Sequence, residues 1–417
     1  ATTEYFAKKW QVNVLRNLSK LLGAGRANAA FEKFKVLQAI IVSAGPSLEK
    51  HLGLLATAKG KALICATQTT NRRFEQLPVK PDLIFTFDGD YPNYYEHFED
   101  VALDVPLVFD ATTYYKCISE WRGPLSAMLV HPANRWLEHV LETNLSGLFS
   151  GPSISNSIFD YCLKLGADPI IFIGQDLAFT GNRKHLTGTH MSEGWDSDVA
   201  FDPTLTETLA YGGQGTVLTS AAMVTFLHWF EEYFRHIRKD WPDLRIINAT
   251  EGGAEIRGAS NMAFAAALTY YCHADFSDQI AALVATVTQP GQGAGLPNLK
   301  AFLASSKAKF KRLYPLLRTA MLKSSDMHKE IANGRNVVYA DYFNVMEKAD
   351  AEIREAAKEL EMIHYSLRPL LGSLERDIDY GGKEAFYLSQ QNERFYALVM
   401  EALEFAMPLV EDALDRL

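Results

Sequence analysis

The sequence predicts an α/β protein: a mostly parallel sheet flanked by helices, with a helix ahead of it and a helical bundle behind it. Three observations carry this. Short apolar runs rich in β-branched residues recur, each followed by a helix-like stretch. Strands apolar on both faces and alternating with helices form parallel sheets covered on two sides. A Gly/Pro-rich segment, Gln289-Pro290-Gly291-Gln292-Gly293-Ala294-Gly295-Leu296-Pro297, then breaks the pattern. Beyond it the chain is rich in Ala, Leu, Glu, Lys and Arg at helical spacing.

Three zones follow in order. Residues 1–35 form a helical lead-in, because Phe6, Trp10, Val14, Leu18 and Leu21 share one helix face. Residues 36–288 hold the sheet. Its strand runs are 39–42, 63–65, 83–87, 105–109, 127–130, 147–149, 170–173 and 245–247, with long helices at Ser153–Leu165 and Gly215–Arg238. Residues 298–417 form a helical hairpin or a bundle of three or four helices.

A chain of 417 residues supports two or three domains. Lys plus Arg is 41 and Asp plus Glu is 50, a net charge of −9 that excludes broad electrostatic binding to nucleic acid. Hydrophobic residues at 48% and charged residues at 22% exclude wholesale disorder. The four cysteines, Cys65, Cys117, Cys162 and Cys272, include no CxxC pair, so a disulfide framework or thiolate zinc site is not expected and a reducing cytoplasm is. No signal peptide and no membrane span are expected; the most apolar stretch, Met262–Cys272, reads as a buried helix.

In open parallel sheets ligands bind beyond the carboxyl ends of the strands. The first strand run is followed by Gly45-Pro46-Ser47-Leu48, a tight turn opening a helix, where N–H groups and the dipole favour an anion. The same letters return after the run at 147–149, as Gly151-Pro152-Ser153. The alternative for both is a turn with a capping serine. The third run ends in Asp88-Gly89-Asp90. Asp88 is a candidate metal or sugar ligand, and Asp90 is a helix cap for Tyr91. After 170–173 comes Gly174-Gln175-Asp176 and a loop of more than thirty residues carrying Arg183, Lys184, His185 and His190. Histidine is the side chain best suited to move a proton near neutral pH. The last run ends Asn248-Ala249-Thr250-Glu251-Gly252-Gly253-Ala254. No Walker A, GxGxxG after the first strand, GxSxG or HExxH spelling is present, which disfavours P-loop, standard dinucleotide, α/β-hydrolase and zincin chemistry.

Taken in order, Val42–Leu48, Gly174–Phe179 and Ile247–Ala254 resemble the motility accessory factor (Maf) family of bacterial flagellin glycosyltransferases, over roughly residues 1–290. The resemblance implies a central domain similar to bacterial sialyltransferases, a Rossmann-like variant of the GT-A fold. It implies a CMP-activated nonulosonic acid (pseudaminic, legionaminic or sialic type) as donor and a flagellin Ser or Thr as acceptor, in support of motility. No cofactor and no metal are demanded, because one phosphate leaves. On this resemblance Gly45, Pro46, Ser47 and Leu48 hold the CMP part and Thr67 or Gln68 contacts the nucleotide. Gly151 and Ser153 form a second turn. Asp88, Gly174, Gln175, Thr250, Glu251 and Gly252 complete the donor site. Asp176 stands with the catalytic groups. The chemistry of transfer, rather than the resemblance, selects His185 as base, with His190 as alternative, and Arg183, Lys184 and the two helix starts as receivers of the phosphate. The family's tyrosines beyond the Gly-x-Asp strand are missing from 177–190, with Tyr211 the nearest.

Two alternatives stay open. The Gly-Pro-Ser-Leu turn also resembles archaeal pterin pyrophosphokinases, in which Asp88 and Asp176 would hold magnesium for ATP. A non-catalytic flagellin-binding protein would use Tyr339, Tyr342, Phe343, Phe386, Tyr387 and Tyr396 as a docking face; the same stripe is otherwise a bundle core.

Overall fold

The structure is a computed structural model describing residues 2–34, 37–180, 203–291, 295–335, 337–367 and 384–417. It divides into two compact units, one of Ala1–Leu22, His131–Asn144 and Gln292–Leu417, the other of Gly23–Val130 and Leu145–Gly291.

The second unit is the α/β body. Its strands are β1 (Gly25–Arg26), β2 (Ala39–Val42), β3 (Leu63–Thr67), β4 (Leu83–Thr86), β5 (Leu107–Phe109), β6 (Leu125–Ala127), β7 (Ile170–Ile173), β10 (Ile246–Asn248) and β11 (Ser260–Asn261). They form one sheet in the order β1-β6-β5-β4-β3-β2-β7-β10-β11, every pair parallel. From β2 the chain winds outward to β6, then returns to the other side of β2 as β7. The topological switch point is therefore the β2–β7 pair, in register from Ala39↔Ile170 to Val42↔Ile173.

The strands form because both faces are buried. Ile41, Cys65, Phe85 and Phe172 point to one face, against helices Ile154–Leu165 and Ala221–Ile237. Ile40, Val42, Ile64, Ile84 and Ile171 point to the other, with Phe74 and Phe264. Alternation of this kind is the period of two that a strand imposes. Helix Phe264–Tyr271 buries Phe264, Ala267 and Leu268, while Tyr270 stays exposed, so only one of its faces is core. All four cysteines are free and buried.

Three expected elements differ. Gly147–Phe149 is not a strand: the Phe149 N–H goes to the Asp160 carboxylate at 2.7 Å, not to a neighbouring strand, and its ring stacks on Trp229 and Tyr233. The run at 127–130 pairs two residues earlier, as β6. The helix expected from Gly215 starts at Ala221, behind the Ser220 cap, because Thr216–Thr219 (β9) pairs antiparallel with Thr206–Leu209 (β8). This hairpin hangs on the carboxyl edge through Phe179 N–H to Leu218 O (2.8 Å) and Thr219 Oγ1 to Leu177 O (2.8 Å).

The first unit is helical. Helix Thr2–Gly23 buries Val14, Leu18 and Leu21, three residues of the expected face. Helices Leu296–Ala332 and Glu384–Arg416 lie along each other, tied by Lys307 and Lys311 to Glu411. Helix Tyr339–Glu355 and the short Ala357–Met362 complete the expected bundle. No helix among the described residues is long and apolar enough to cross a membrane.

Candidate functional site

The ends of β2, β7 and β10 converge at the switch point. Beyond β2, Gly45 turns the chain into the one-and-a-half-turn 3-10 helix Pro46–Lys50, and its N–H donates to Gly174 O beyond β7 at 2.8 Å. Across this closure stands Asp176, 2% exposed. Its carboxylate accepts from Ser47 N–H (3.2 Å), Ser47 Oγ (2.5 Å) and Thr180 Oγ1 (2.6 Å). Burial pushes the Asp176 carboxyl above the usual range, against the pull of those hydrogen bonds and of Lys50. So the anion facing the Gly-Pro-Ser turn is the protein's own carboxylate.

Gly45 is required by this approach: a Cβ there would stand 2.0 Å from Asp176 Oδ2 and 2.5 Å from Gly174 O. From the β10 side, Gly253 makes the equivalent approach at φ +73°, where a Cβ would meet Asp176 O at 2.1 Å. The Ala254 N–H donates to Asp176 O at 2.7 Å, and Thr250 Oγ1 accepts from Gln175 N at 3.3 Å. Ser43 Oγ donates to Gln175 Oε1 at 2.7 Å. Beneath, buried His51 holds Thr250 O through Nε2 at 3.0 Å, while Lys50 Nζ donates to Glu251 O at 2.9 Å. Since a carbonyl only accepts, His51 Nε2 is the donor in this contact, and Nδ1 faces Glu251 Oε1 at 3.8 Å.

The structure thus brings together Gly45, Pro46, Ser47 and Leu48 with Gly174, Gln175, Asp176, Thr250, Glu251 and Gly252. Thr67 and Gln68 lie one strand along, at the end of β3. Thr67 Oγ1 pairs with Thr69 Oγ1 at 2.7 Å, whereas Gln68 Oε1 is buried with no hydrogen-bond partner. Asp88 lies two strands from β2, at the end of β4; its Oδ1 accepts from Asp90 N at 3.0 Å, and Asp90 caps helix Tyr91–His97 as read. Gly151 and Ser153 follow no strand. Ser153 closes a capping box with Asn156 at the start of helix Ile154–Leu165. Tyr211 is carried in by the hairpin, its hydroxyl donating to Asn248 O at 3.2 Å, and burial pushes that hydroxyl up. Arg183, Lys184, His185 and His190 lie outside the described residues. Among the described residues no group of three or more His, Cys, Asp or Glu could hold a metal ion.

Sequence reasoning missed Ser43, His51, Thr180, Asn248 and Gly253. The amide nitrogen of Asn248, at the end of β10, is fully buried without a hydrogen-bond partner. Nothing in the letters marks it, since its isolation comes from the strand order.

Fold and rim together define an open, doubly wound α/β protein with a polar, glycine-lined edge at its switch point. Residues 12–182 match the family model described as MptE-like, 6-hydroxymethylpterin diphosphokinase MptE-like. An uncharacterized protein of Treponema pallidum (strain Nichols) is 30% identical over 128 residues, 28% of this chain and 33% of that protein. The solved structure of a Maf glycosyltransferase from Magnetospirillum magneticum AMB-1 superposes with a TM-score of 0.56 at 13% identity, covering 98% of this chain and 58% of that one. The chain therefore spans a third of the curated relative and under three fifths of the solved one. The likeness to the motility accessory factor family holds at the level of fold, along nearly the whole chain.

Proposed function

We propose that the chain is a glycosyltransferase that moves a nonulosonic acid from a CMP-activated donor to a Ser or Thr hydroxyl of flagellin. The observation that carries this reading is the switch-point rim, where three strand ends close around Asp176 on a fold shared with a Maf glycosyltransferase. The CMP moiety lies along the rim from β2 to β3. Gln68 is suited to the base: its buried, unpartnered Oε1 accepts a hydrogen bond, as a cytosine amino group would supply. Asp176 anchors the floor of the site by fixing Ser47. With the Ser47 N–H already engaged, the phosphate falls to Arg183 and Lys184. His185 takes the acceptor proton, with His190 as the alternative. Transfer runs through an oxocarbenium-like state, so stabilising the departing CMP and deprotonating the acceptor are the two demands on side chains. The four unpaired cysteines suit a reducing cytoplasm.

The family match favours one second reading, a Mg-ATP diphosphokinase. There Asp88 and Asp176 would share a metal. Asp88 follows β4, whereas the Asp176 carboxylate is held at Ser47 beyond β2, the second neighbour of β4 in the sheet, or about 10 Å away at the usual strand spacing. Two carboxylates so far apart do not ligate one ion.

The test is intact-mass analysis of flagellin incubated with the full chain and CMP-activated nonulosonic acid. A mass gain of one such residue per site is expected, lost in His185→Ala together with His190→Ala. Pterin diphosphorylation from ATP without glycan transfer would overturn the reading in favour of the second.

A further inference from the structure

Along the rim from the switch point, the stretch from Asp88 to Glu120 supplies the carboxyl ends of β4 and β5. It carries eight carboxylates and one lysine, 1 − 8 = −7 within a chain total of −9, and Arg72 lies against it, donating to the carbonyls of Tyr95, Glu96 and Glu99, so the patch stays strongly acidic. The same stretch holds five tyrosines, and the fold gathers them. The Tyr91 and Tyr95 rings lie 6.3 Å apart with planes 26° apart, Tyr114 stands 5.8 Å from Tyr91 and 6.0 Å from Tyr94, and Tyr115 lies 4.9 Å from Tyr114. Tyr91 and Tyr95 are 49% and 45% exposed. Burial pushes the Tyr114 hydroxyl up to about 12, and the hydrogen bond to Glu120 pushes that of Tyr94 up as well, so both rings stay neutral. Lys116 shows what these faces accept: its ammonium stands 5.2 Å from the centroid of the Tyr94 ring. A cation over a tyrosine face is attracted by the ring quadrupole, and surrounding carboxylates add to that attraction. An anionic ligand meets the opposite field.

We propose that this tyrosine rim docks a lysine- or arginine-bearing segment of the acceptor polypeptide, with a cationic side chain over Tyr91 and Tyr95. Calling the partner the acceptor rests on the glycosyl-transfer reading; the preference for a basic segment rests on the rings and the charge. Because β4 is the second neighbour of β2, the patch lies about 10 Å along the rim from the Gly45 turn. That is about three residues of extended chain, so a segment held there presents a nearby hydroxyl to the site.

The experiment is fluorescence anisotropy of the full chain with a short labelled Lys/Arg/Ser/Gly peptide and with its Glu-for-Lys/Arg counterpart. The basic peptide is expected to bind and the acidic one not. The Tyr91→Ala, Tyr95→Ala double variant should bind about tenfold more weakly, while the Tyr91→Phe, Tyr95→Phe variant keeps affinity because its ring faces remain. CMP binding, unchanged in both variants, controls for folding. Equal binding by the Ala variant, loss in the Phe variant, or displacement of the peptide by a neutral oligosaccharide would overturn the proposal. The two readings fail separately. Peptide binding without transfer to any acceptor refutes the glycosyl-transfer reading alone. Transfer to flagellin with an unchanged KM in the Ala variant refutes the docking rim alone.

Discussion

Gly45-Pro46-Ser47 and Gly151-Pro152-Ser153 share three letters and differ in what they are for. The first follows a buried strand, and its serine donates to a carboxylate that arrives from a strand 129 residues later. The second follows an irregular segment, and its serine bonds to Asn156, three residues on, as a capping box. The first joins the ends of β2 and β7; the second starts a helix. A tight turn is legible in three residues, but its partner is set by the order of strands.

The comparison breaks most sharply at the glycines. Gly45→Ala would drive a Cβ against Asp176 and Gly174 O, both fixed, and is expected to cost about 3 kcal/mol or more and to abolish CMP binding. Gly151→Ala would meet Asn156 Cβ at 2.3 Å and Trp229 at 2.8 Å, so it too destabilises, but its folded fraction should bind CMP normally. Urea unfolding beside CMP titration separates the two; equal CMP affinity in both would erase the distinction. At the serines, Ser47→Ala leaves a buried carboxylate short of a donor and should cost about 1–3 kcal/mol, against about 1 kcal/mol for loss of the Ser153 cap. Chemical denaturation measures both.

Asp176 sharpens the contrast through pH. Its folded-state carboxyl is raised, so between the ordinary carboxylate value and that raised value the folded chain holds a proton the unfolded chain has lost. Stability from this group is therefore complete at the acid end and declines as pH rises through the window. Asp176→Asn removes the dependence, so the stability difference between wild type and variant should move in favour of the wild type as pH falls from neutral towards the ordinary carboxylate value. A pH-independent difference would refute the raised value. The smallest effect is expected at Gly252, where a Cβ finds its nearest neighbour, Ser47 Cβ, at 3.4 Å. Gly252→Ala should change stability by less than about 0.5 kcal/mol, whereas Gly253→Ala should behave like Gly45→Ala.

That pair shows where sequence reading stops. Gly252 was the expected site residue and Gly253 the required one; the letters are identical, and only the path of the chain past Asp176 tells them apart. The strands at 39–42, 63–67, 83–86, 107–109 and 170–173 were legible because burial on both faces makes them continuously apolar. The two-residue strands β1 and β11 carry too few residues for any pattern. The hairpin 206–219 is only partly buried and shows no alternation, and Val217-Leu218 runs straight into the apolar spacing of the following helix. Ser220 was the available signal for where that helix begins.

The helical unit is assembled from residues 1–22, 131–144 and 292–417. During synthesis its first two pieces leave the ribosome long before the helices they pack with, while the sheet unit is complete once residue 291 has emerged. The α/β body can therefore mature co-translationally, with the helical unit's first helix still awaiting a cover. A nascent chain arrested between residues 291 and 417 should offer that helix to chaperones while its sheet already resists proteases.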